Sequence, residues 1–187
     1  MRSIRILFTL LLCVSSVAAF AQISVEYGEG AGKVGYFNEE NHPGVEEPYP
    51  IGPLAFRLDG EHIWVADSIG AKMLKLDRSS KVVSEFAVVA SPAECLIEDF
   101  ALVKDETGTT KSVWIIDGIN KKLVHFDVAG TKLGEIVNEA LVQPFRVEAG
   151  RTGHLFVADK GAQEIMLFDA TGNLVTKSNW EWNGLDR

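Results

Sequence analysis

The chain has 187 residues, with 18 Lys or Arg against 26 Asp or Glu, and its formal net charge is −8. Nucleic acids attract proteins largely through basic side chains that neutralise phosphates, so this acidic balance argues against nucleic acid as a partner. With Cys13 and Cys95 as its two cysteines, the chain does not have the dense cysteine pattern of a disulfide-rich secreted domain.

The N-terminus has the pattern of a secretory signal peptide. Arg2 and Arg5 precede an apolar stretch at 6–14, and Ala19-Phe20-Ala21 fits the small-x-small site before a signal-peptidase cut. This stretch is shorter than the roughly 20 apolar residues that a membrane span needs. We therefore predict that residues 1–21 are removed, that no segment spans a membrane, and that the chain is exported to the periplasm or the extracellular space.

Residues 22–50, called the lead-in below, are rich in glycine and proline and contain one predicted strand at Ile23–Tyr27. The stretch from Gly30 to Gly35 matches the G-x-G-x-x-G pattern of dinucleotide-binding loops. That function requires a helix directly after the glycines. Prolines and a glycine interrupt the next fifteen residues, so we expect a flexible connection and no nucleotide site.

Residues 51–187 contain three copies of one pattern, at about 51–90, 95–138 and 141–180. In every copy an aromatic residue in the second apolar run lies 13 residues before an aspartate. The three pairs are Trp64 and Asp77, Trp114 and Asp127, and Phe156 and Asp169. Propeller blades repeat at about 40–45 residues with four strands each, and these copies recur at intervals of 50 and 42 residues.

The apolar runs are short, rich in Val, Ile and Leu, and separated by turn residues, which indicates strands. The middle runs are apolar on both faces, as strands between stacked sheets must be. We predict an all-β fold: a β-propeller-like array of three four-stranded antiparallel blades. Closed propellers have typically 4–8 blades, so three blades indicate an incomplete ring. Further blades in a longer chain, or self-association, would complete it.

The first copy resembles an NHL repeat. It begins Gly52-Pro53, continues with Ile63-Trp64-Val65-Ala66-Asp67, and closes with a basic and apolar strand that ends at Asp77. The second copy has Glu98-Asp99 in place of Gly-Pro, and the third has Gln143-Pro144. The resemblance to the exported bacterial type of this family covers about residues 28–178. It implies a propeller scaffold and names no activity.

Each copy has one aspartate where its middle strand ends, namely Asp67, Asp117 and Asp159. Aspartate side chains commonly accept hydrogen bonds from the backbone of the turn that follows. Because a residue repeated in every blade serves the blade, we assign these three to the turns and not to a metal or catalytic site.

The candidate ligand-binding residues are those that break the repeat. Glu98 and Asp99 stand at the start of the innermost strand of the second copy. Arg146 stands where the other copies have Ala55 and Ala101, and Lys160 follows the turn aspartate of the third copy. Grouped at one channel mouth, they could bind a polar ligand or a Ca²⁺ ion through carboxylate oxygens.

Two hypotheses follow for the function. The first is a non-enzymatic scaffold that binds a protein or a saccharide, since no catalytic residues and no cofactor are indicated. The second is a calcium-dependent lactonase or lyase, which Glu98 and Asp99 would serve; related propellers of the gluconolactonase class hold one ion with acidic and amide side chains. The four histidines are too scattered for a zinc site.

Overall fold

The computed structural model describes residues 23–37 and 52–179. The predicted signal peptide, the whole of the lead-in after Phe37, and the tryptophan-rich end at 180–187 lie outside these ranges. The described residues form three four-stranded antiparallel sheets and one two-stranded sheet. The predicted fold class, an all-β propeller-like array of three blades, is confirmed.

The strands follow in simple up-and-down order within each blade. The lead-in contains β1 (Glu26–Tyr27) and β2 (Lys33–Val34). Blade 1 contains β3 (Ala55–Asp59), β4 (His62–Asp67), β5 (Lys72–Asp77) and β6 (Val82–Ala87). A single 3-10 turn (Pro92–Glu94) precedes blade 2, which contains β7 (Ile97–Lys104), β8 (Thr110–Asp117), β9 (Lys122–Asp127) and β10 (Lys132–Val137). Blade 3 contains β11 (Pro144–Ala149), β12 (Leu155–Asp159), β13 (Glu164–Phe168) and β14 (Leu174–Asn179).

The core between the blades consists of two apolar clusters, one at each blade-to-blade interface. Between blades 1 and 2, Trp64, Phe86, Phe100 and Phe126 are buried in one cluster. Blades 2 and 3 bury a second cluster, which includes Trp114, Leu155, Val157, Met166 and Phe168. Burial of this apolar surface is the main term that holds the blades together. The middle blade is covered on both faces, as its doubly apolar strands require.

The innermost strands of blades 2 and 3 each begin with a β-bulge. In blade 2, Ile97 pairs with Asp117 and Phe100 with Ile115, so β7 uses one residue more than β8. In blade 3 the register shifts in the same way between Pro144 and Arg146. A bulge changes the direction in which nearby side chains point. Here the bulged stretches contain Glu98 and Asp99 in one blade and Phe145 in the other.

The register corrects one sequence alignment. Ala101 pairs with Trp114, as Arg57 pairs with Trp64. The counterpart of Ala101 in blade 1 is therefore Arg57 and not Ala55. An alignment by repeat spacing matches the inner strands residue by residue. The bulge in β7 adds one residue, so the match is wrong for the residues that follow it.

The lead-in covers part of the outer face of blade 1. β1 and β2 pair with each other in parallel, where the sequence predicted one strand. Val34 is buried with Leu74 and Leu76, and Val25 packs beside them. The described part of the lead-in thus packs on a face of the blade.

Candidate functional site

Asp99 joins all three blades. Its side chain is fully buried in blade 2, and its two oxygens lie 2.8 and 3.0 Å from Nη2 of Arg57 in blade 1. The backbone N–H of Val147 in blade 3 donates to Oδ2 of the same carboxylate at 3.0 Å. Buried carboxylates need such donors, because removal from water is costly for a charge. The position that the sequence marked as a ligand contact therefore holds the blades together.

Arg57 is the partner that the sequence did not reveal. Its guanidinium lies over the ring of Phe100, 5.3 Å from the ring centre, and 3.5 Å from the exposed carboxylate of Glu148. A cation over an aromatic face is attracted by the ring's quadrupole. Arg57 is therefore fixed by contacts in both neighbouring blades. Its only sequence clue is that its counterparts, Ala101 and Glu148, are not basic.

Glu98 makes contacts different from those of Asp99. Its side chain packs against Gly118, where an added Cβ would lie 2.7 Å from Cγ of Glu98. The close approach explains why a glycine follows Asp117 in this blade. The structure gives no ion pair between Glu98 and Arg146 among the described residues, so the expected group of two acids and one arginine does not form.

Arg146 and Lys160 do come together, around one aromatic ring. The guanidinium carbon of Arg146 lies 5.8 Å from the ring centre of Phe145, and Nζ of Lys160 lies 5.9 Å from it. Both cations are solvent-exposed, and no carboxylate within the described ranges forms an ion pair with either. We call these three residues the Phe145 patch. It has two exposed positive charges beside an aromatic ring.

The three turn aspartates are all fully buried but differ in their donors. Asp159 accepts hydrogen bonds from the backbone N–H groups of Val142, Gln143 and Ala162. Asp117 accepts from the backbone N–H and from the side-chain amide of Asn120. Asp67 accepts one bond, from the N–H of Gly70 to Oδ1.

A further carboxylate, the largely enclosed Asp59, was not singled out by its sequence. It joins blade 1 to blade 2 at the opposite end of the inner strand from Asp99. Its neighbours are the Thr110 hydroxyl at 2.8 Å, the Trp64 indole at 3.2 Å, and the ammonium groups of Lys104 at 3.0 Å and Lys75 at 3.5 Å. Burial acts to raise the pKa of Asp59, but the hydrogen bonds outweigh it and lower the pKa from 3.8 to about 2. The group stays ionised near neutral pH, as an ion-pair anchor.

The remaining reactive side chains are held in the core. Burial, reinforced by the nearby Asp117, raises the pKa of the Cys95 thiol to about 12, so the thiolate form is disfavoured. His125 stacks on Trp114 with ring centres 4.2 Å apart, and burial lowers its pKa. Within the described ranges, no three or more His, Cys, Asp or Glu residues are arranged to hold a metal ion. The described part also has no helix long and apolar enough to cross a bilayer.

Comparison with known proteins identifies the fold and no family. A scan against models of protein families finds no match, and a search of curated proteins finds none. Among solved structures, the chain is similar to virginiamycin B lyase from Staphylococcus aureus, with a TM-score of 0.53 and 13% identity over 68% of this chain and 41% of that one.

Two further solved structures give the same result. A streptogramin B lyase has a TM-score of 0.53 and 18% identity, over 69% of this chain and 41% of that one. The WD40 domain of Pan2 from Neurospora crassa has a TM-score of 0.53 and 16% identity, over 70% of this chain and 39% of that one. The chain thus spans about two fifths of the length of these structures. At such identities the likeness concerns the architecture alone: the chain has a β-propeller fold.

Proposed function

We propose that the chain is a segment of an exported, NHL-type propeller that binds a protein or saccharide ligand and does not catalyse a reaction on it. One observation carries the proposal. Asp99, the candidate with the most useful chemistry for a metal or for catalysis, is enclosed by donors from two other blades, whereas the cations Arg146 and Lys160 are exposed to solvent.

The Phe145 patch indicates the chemistry of the ligand. Two cations that form no ion pair with a carboxylate in the described ranges, on a chain that is acidic as a whole, favour an anionic group at that point. An acidic oligosaccharide or an acidic segment of a protein would supply such a group.

The calcium-dependent alternative has less support. It requires Glu98 and Asp99 to share an ion, yet both oxygens of Asp99 accept hydrogen bonds from Arg57. Glu98 packs against Gly118 in the same blade. Calcium prefers 6–8 oxygen ligands, and this pair would have to leave its present contacts to supply even two.

The test is a binding titration of the purified chain with an oligogalacturonate, an acidic saccharide, and with a neutral malto-oligosaccharide. We expect the acidic saccharide to bind more tightly. Replacing both cations, with Arg146→Ala and Lys160→Ala, should weaken binding roughly tenfold, as expected for two exposed charge contacts.

The matched control removes the same charge elsewhere, through Lys121→Ala and Arg151→Ala, two exposed cations outside the Phe145 patch. Equal weakening in both double variants would show a diffuse charge effect and contradict the proposed site. Calcium-stimulated hydrolysis of a lactone by the same preparation would contradict the non-enzymatic part of the proposal.

A further inference from the structure

A cleft lies between the lead-in and blade 1, far along the chain from the Phe145 patch. Its volume is about 860 Å³, and its walls include Tyr27, Gly35 and Tyr36 from the lead-in and Asp67, Gly70 and Lys72 from the β4–β5 hairpin. We call it the lead-in cleft. Cavities of roughly 300–1,000 Å³ are the usual size for small-ligand sites.

The wall of the cleft contains a buried acceptor without a donor. Oδ2 of Asp67 is the one buried side-chain oxygen or nitrogen in the described ranges that has no hydrogen-bond partner. Such a group is costly to bury, so an unpartnered one in a native fold calls for an explanation. The other two blades differ from blade 1 at this oxygen.

The equivalent oxygens in blades 2 and 3 are satisfied from within the chain. In blade 2, the side-chain amide of Asn120 donates to Oδ2 of Asp117 at 2.7 Å. Blade 1 has Gly70 at the position of Asn120, three residues after its aspartate, and Gly70 has no side chain to donate. In blade 3, the N–H of Gln143 donates to Asp159. The counterpart of Gln143 in blade 1 is Gly52, which packs near the ring of Tyr27 and does not donate to Oδ2.

Gly70 packs directly against the carboxylate of Asp67. A Cβ added to Gly70 would lie 2.2 Å from Oδ2, so any larger residue would press on that oxygen. Blade 1 therefore lacks the internal donor, and it has no room at this position for a side chain that would supply one. The lead-in cleft borders both residues.

The charges and rings around the cleft favour a cationic donor. The rings of Tyr27 and Tyr36 pack 4.9 Å apart at the cleft wall, and Glu29 adds a carboxylate. The ammonium group of Lys72, the cation of this wall, is already bound to Glu85 at 2.9 Å and to the carbonyl of Gly30 at 2.7 Å.

We propose that the lead-in cleft binds an alkylammonium group, such as a lysine side chain presented by a protein partner. One ammonium N–H donates to Oδ2 of Asp67, in the role that the Asn120 amide has in blade 2. The tyrosine rings contact the charged group and the methylenes next to it. This site is separate from the Phe145 patch and does not depend on the function proposed for that patch.

The test is a titration of the purified chain with Nα-acetyl-lysine-N-methylamide and with its Nε-acetylated form, followed by calorimetry or by NMR. The two probes differ in the positive charge and in the extra N–H groups of the ammonium. We expect the first to bind and the second to bind at least roughly tenfold more weakly, as for loss of a charge-assisted hydrogen bond.

Asp67→Asn tests the acceptor. Its remaining amide oxygen still accepts the N–H of Gly70, so the turn is kept while the charge is lost. We expect roughly tenfold to a hundredfold weaker binding. Asp117→Asn, the same change at the satisfied position in blade 2, should leave binding unchanged. Tyr27→Ala, at an exposed ring that leaves the blades intact, should weaken binding about threefold through loss of the cation–π contact.

Three results would overturn the proposal. These are equal binding of the charged and acetylated probes, equal loss in the Asp67 and Asp117 variants, and binding of sugars or polyols without binding of the amine. The last would assign Oδ2 to a hydroxyl donor. A failure of Asp67→Asn to fold, seen by circular dichroism, leaves Tyr27→Ala and the two probes to decide.

Discussion

A buried carboxylate persists in a β core only where donors replace the water it has lost. Asp99 meets this condition with donors from both neighbours, the guanidinium of Arg57 and the N–H of Val147. The bulge in β7 places the carboxylate within reach of both neighbouring blades. The contact therefore favours one register of the inner strands over others.

Asp99→Ala should lower the free energy of unfolding by about 3 kcal/mol, because it leaves the Arg57 charge and the Val147 N–H without their acceptor. Glu148→Gln is the matched control. Glu148 is also an acidic partner of Arg57, but it is 73% exposed and 3.5 Å away. Its loss should cost less than about 0.5 kcal/mol. Chemical denaturation measures both, and similar losses for the two variants would contradict the role given to Asp99.

Sequence analysis found the unusual residue here and missed its partner. Glu98-Asp99 stood out because it replaces Gly-Pro, and that signal was sound. Arg57 could not be paired with Asp99 from the sequence. The bulge in β7 adds one unpaired residue, so positions that match by repeat spacing are not equivalent in the strand pairing. Arg146 and Lys160 proved to be neighbours through Phe145, which the repeat pattern gave no reason to single out.

Among the elements, one hairpin turn is used four times. Its first residue is Asp77, Asp105, Asp127 or Asp169, and in each case the carboxylate accepts the backbone N–H groups two and four residues later. The fourth residue has positive φ and is glycine in three of the turns. In the turn without glycine, Ser80 takes the same conformation, with φ of 67°.

Two glycines of this turn allow the cost of backbone strain to be measured separately from the cost of a steric clash. Gly108 and Gly130 have φ of 81° and 89°, but a Cβ on Gly108 would meet nothing within 4 Å, and one on Gly130 would lie 2.4 Å from Cβ of Phe86. Gly108→Ala should cost about 1 kcal/mol, from strain alone. Gly130→Ala should cost a further 1–3 kcal/mol or so, because blades 1 and 2 meet there. Thermal denaturation of both variants tests this; equal costs would mean that the contact is unimportant.

The strands of the blades were predictable, and those of the lead-in were not. The outer strands β10 and β14 each follow an Asp-x-x-Gly turn, which marks in the sequence where each strand begins. β2 has two residues, and the burial of Val34 against blade 1 maintains it. Tertiary packing of that kind leaves no periodic pattern in the sequence.

The three described blades form a stack whose two ends differ. At blade 1, Phe56 and Leu58 remain 67% and 69% exposed beside the part that the lead-in covers. At blade 3, Phe156 and Ile165 are 48% and 43% exposed on the face directed away from blade 2. Apolar surface exposed on both ends of a stacked array is the arrangement that a neighbouring blade would bury.

We expect these faces to bring two copies of the chain together as concentration rises. Phe156→Ser combined with Ile165→Ser should reduce the association measured by light scattering, with little change in the stability of the monomer. Leu133→Ser with Val137→Ser is the control, because these residues are even more exposed but lie on the outer strand of blade 2. A single monomeric mass at every concentration, or an equal effect of the control, would contradict the expectation.

The Asp99 contact also affects how the three blades unfold. An array in which each blade touches only its neighbours can lose its terminal units one at a time. Here the carboxylate of Asp99 accepts hydrogen bonds from blade 1 and from blade 3. If blade 3 separates, the buried carboxylate loses one of these donors, and its ion pair with Arg57 in blade 1 becomes less stable. Fraying at one end therefore weakens the opposite interface. The three blades should behave as one cooperative unit, in which partial opening is penalised and complete unfolding is the alternative to the native state.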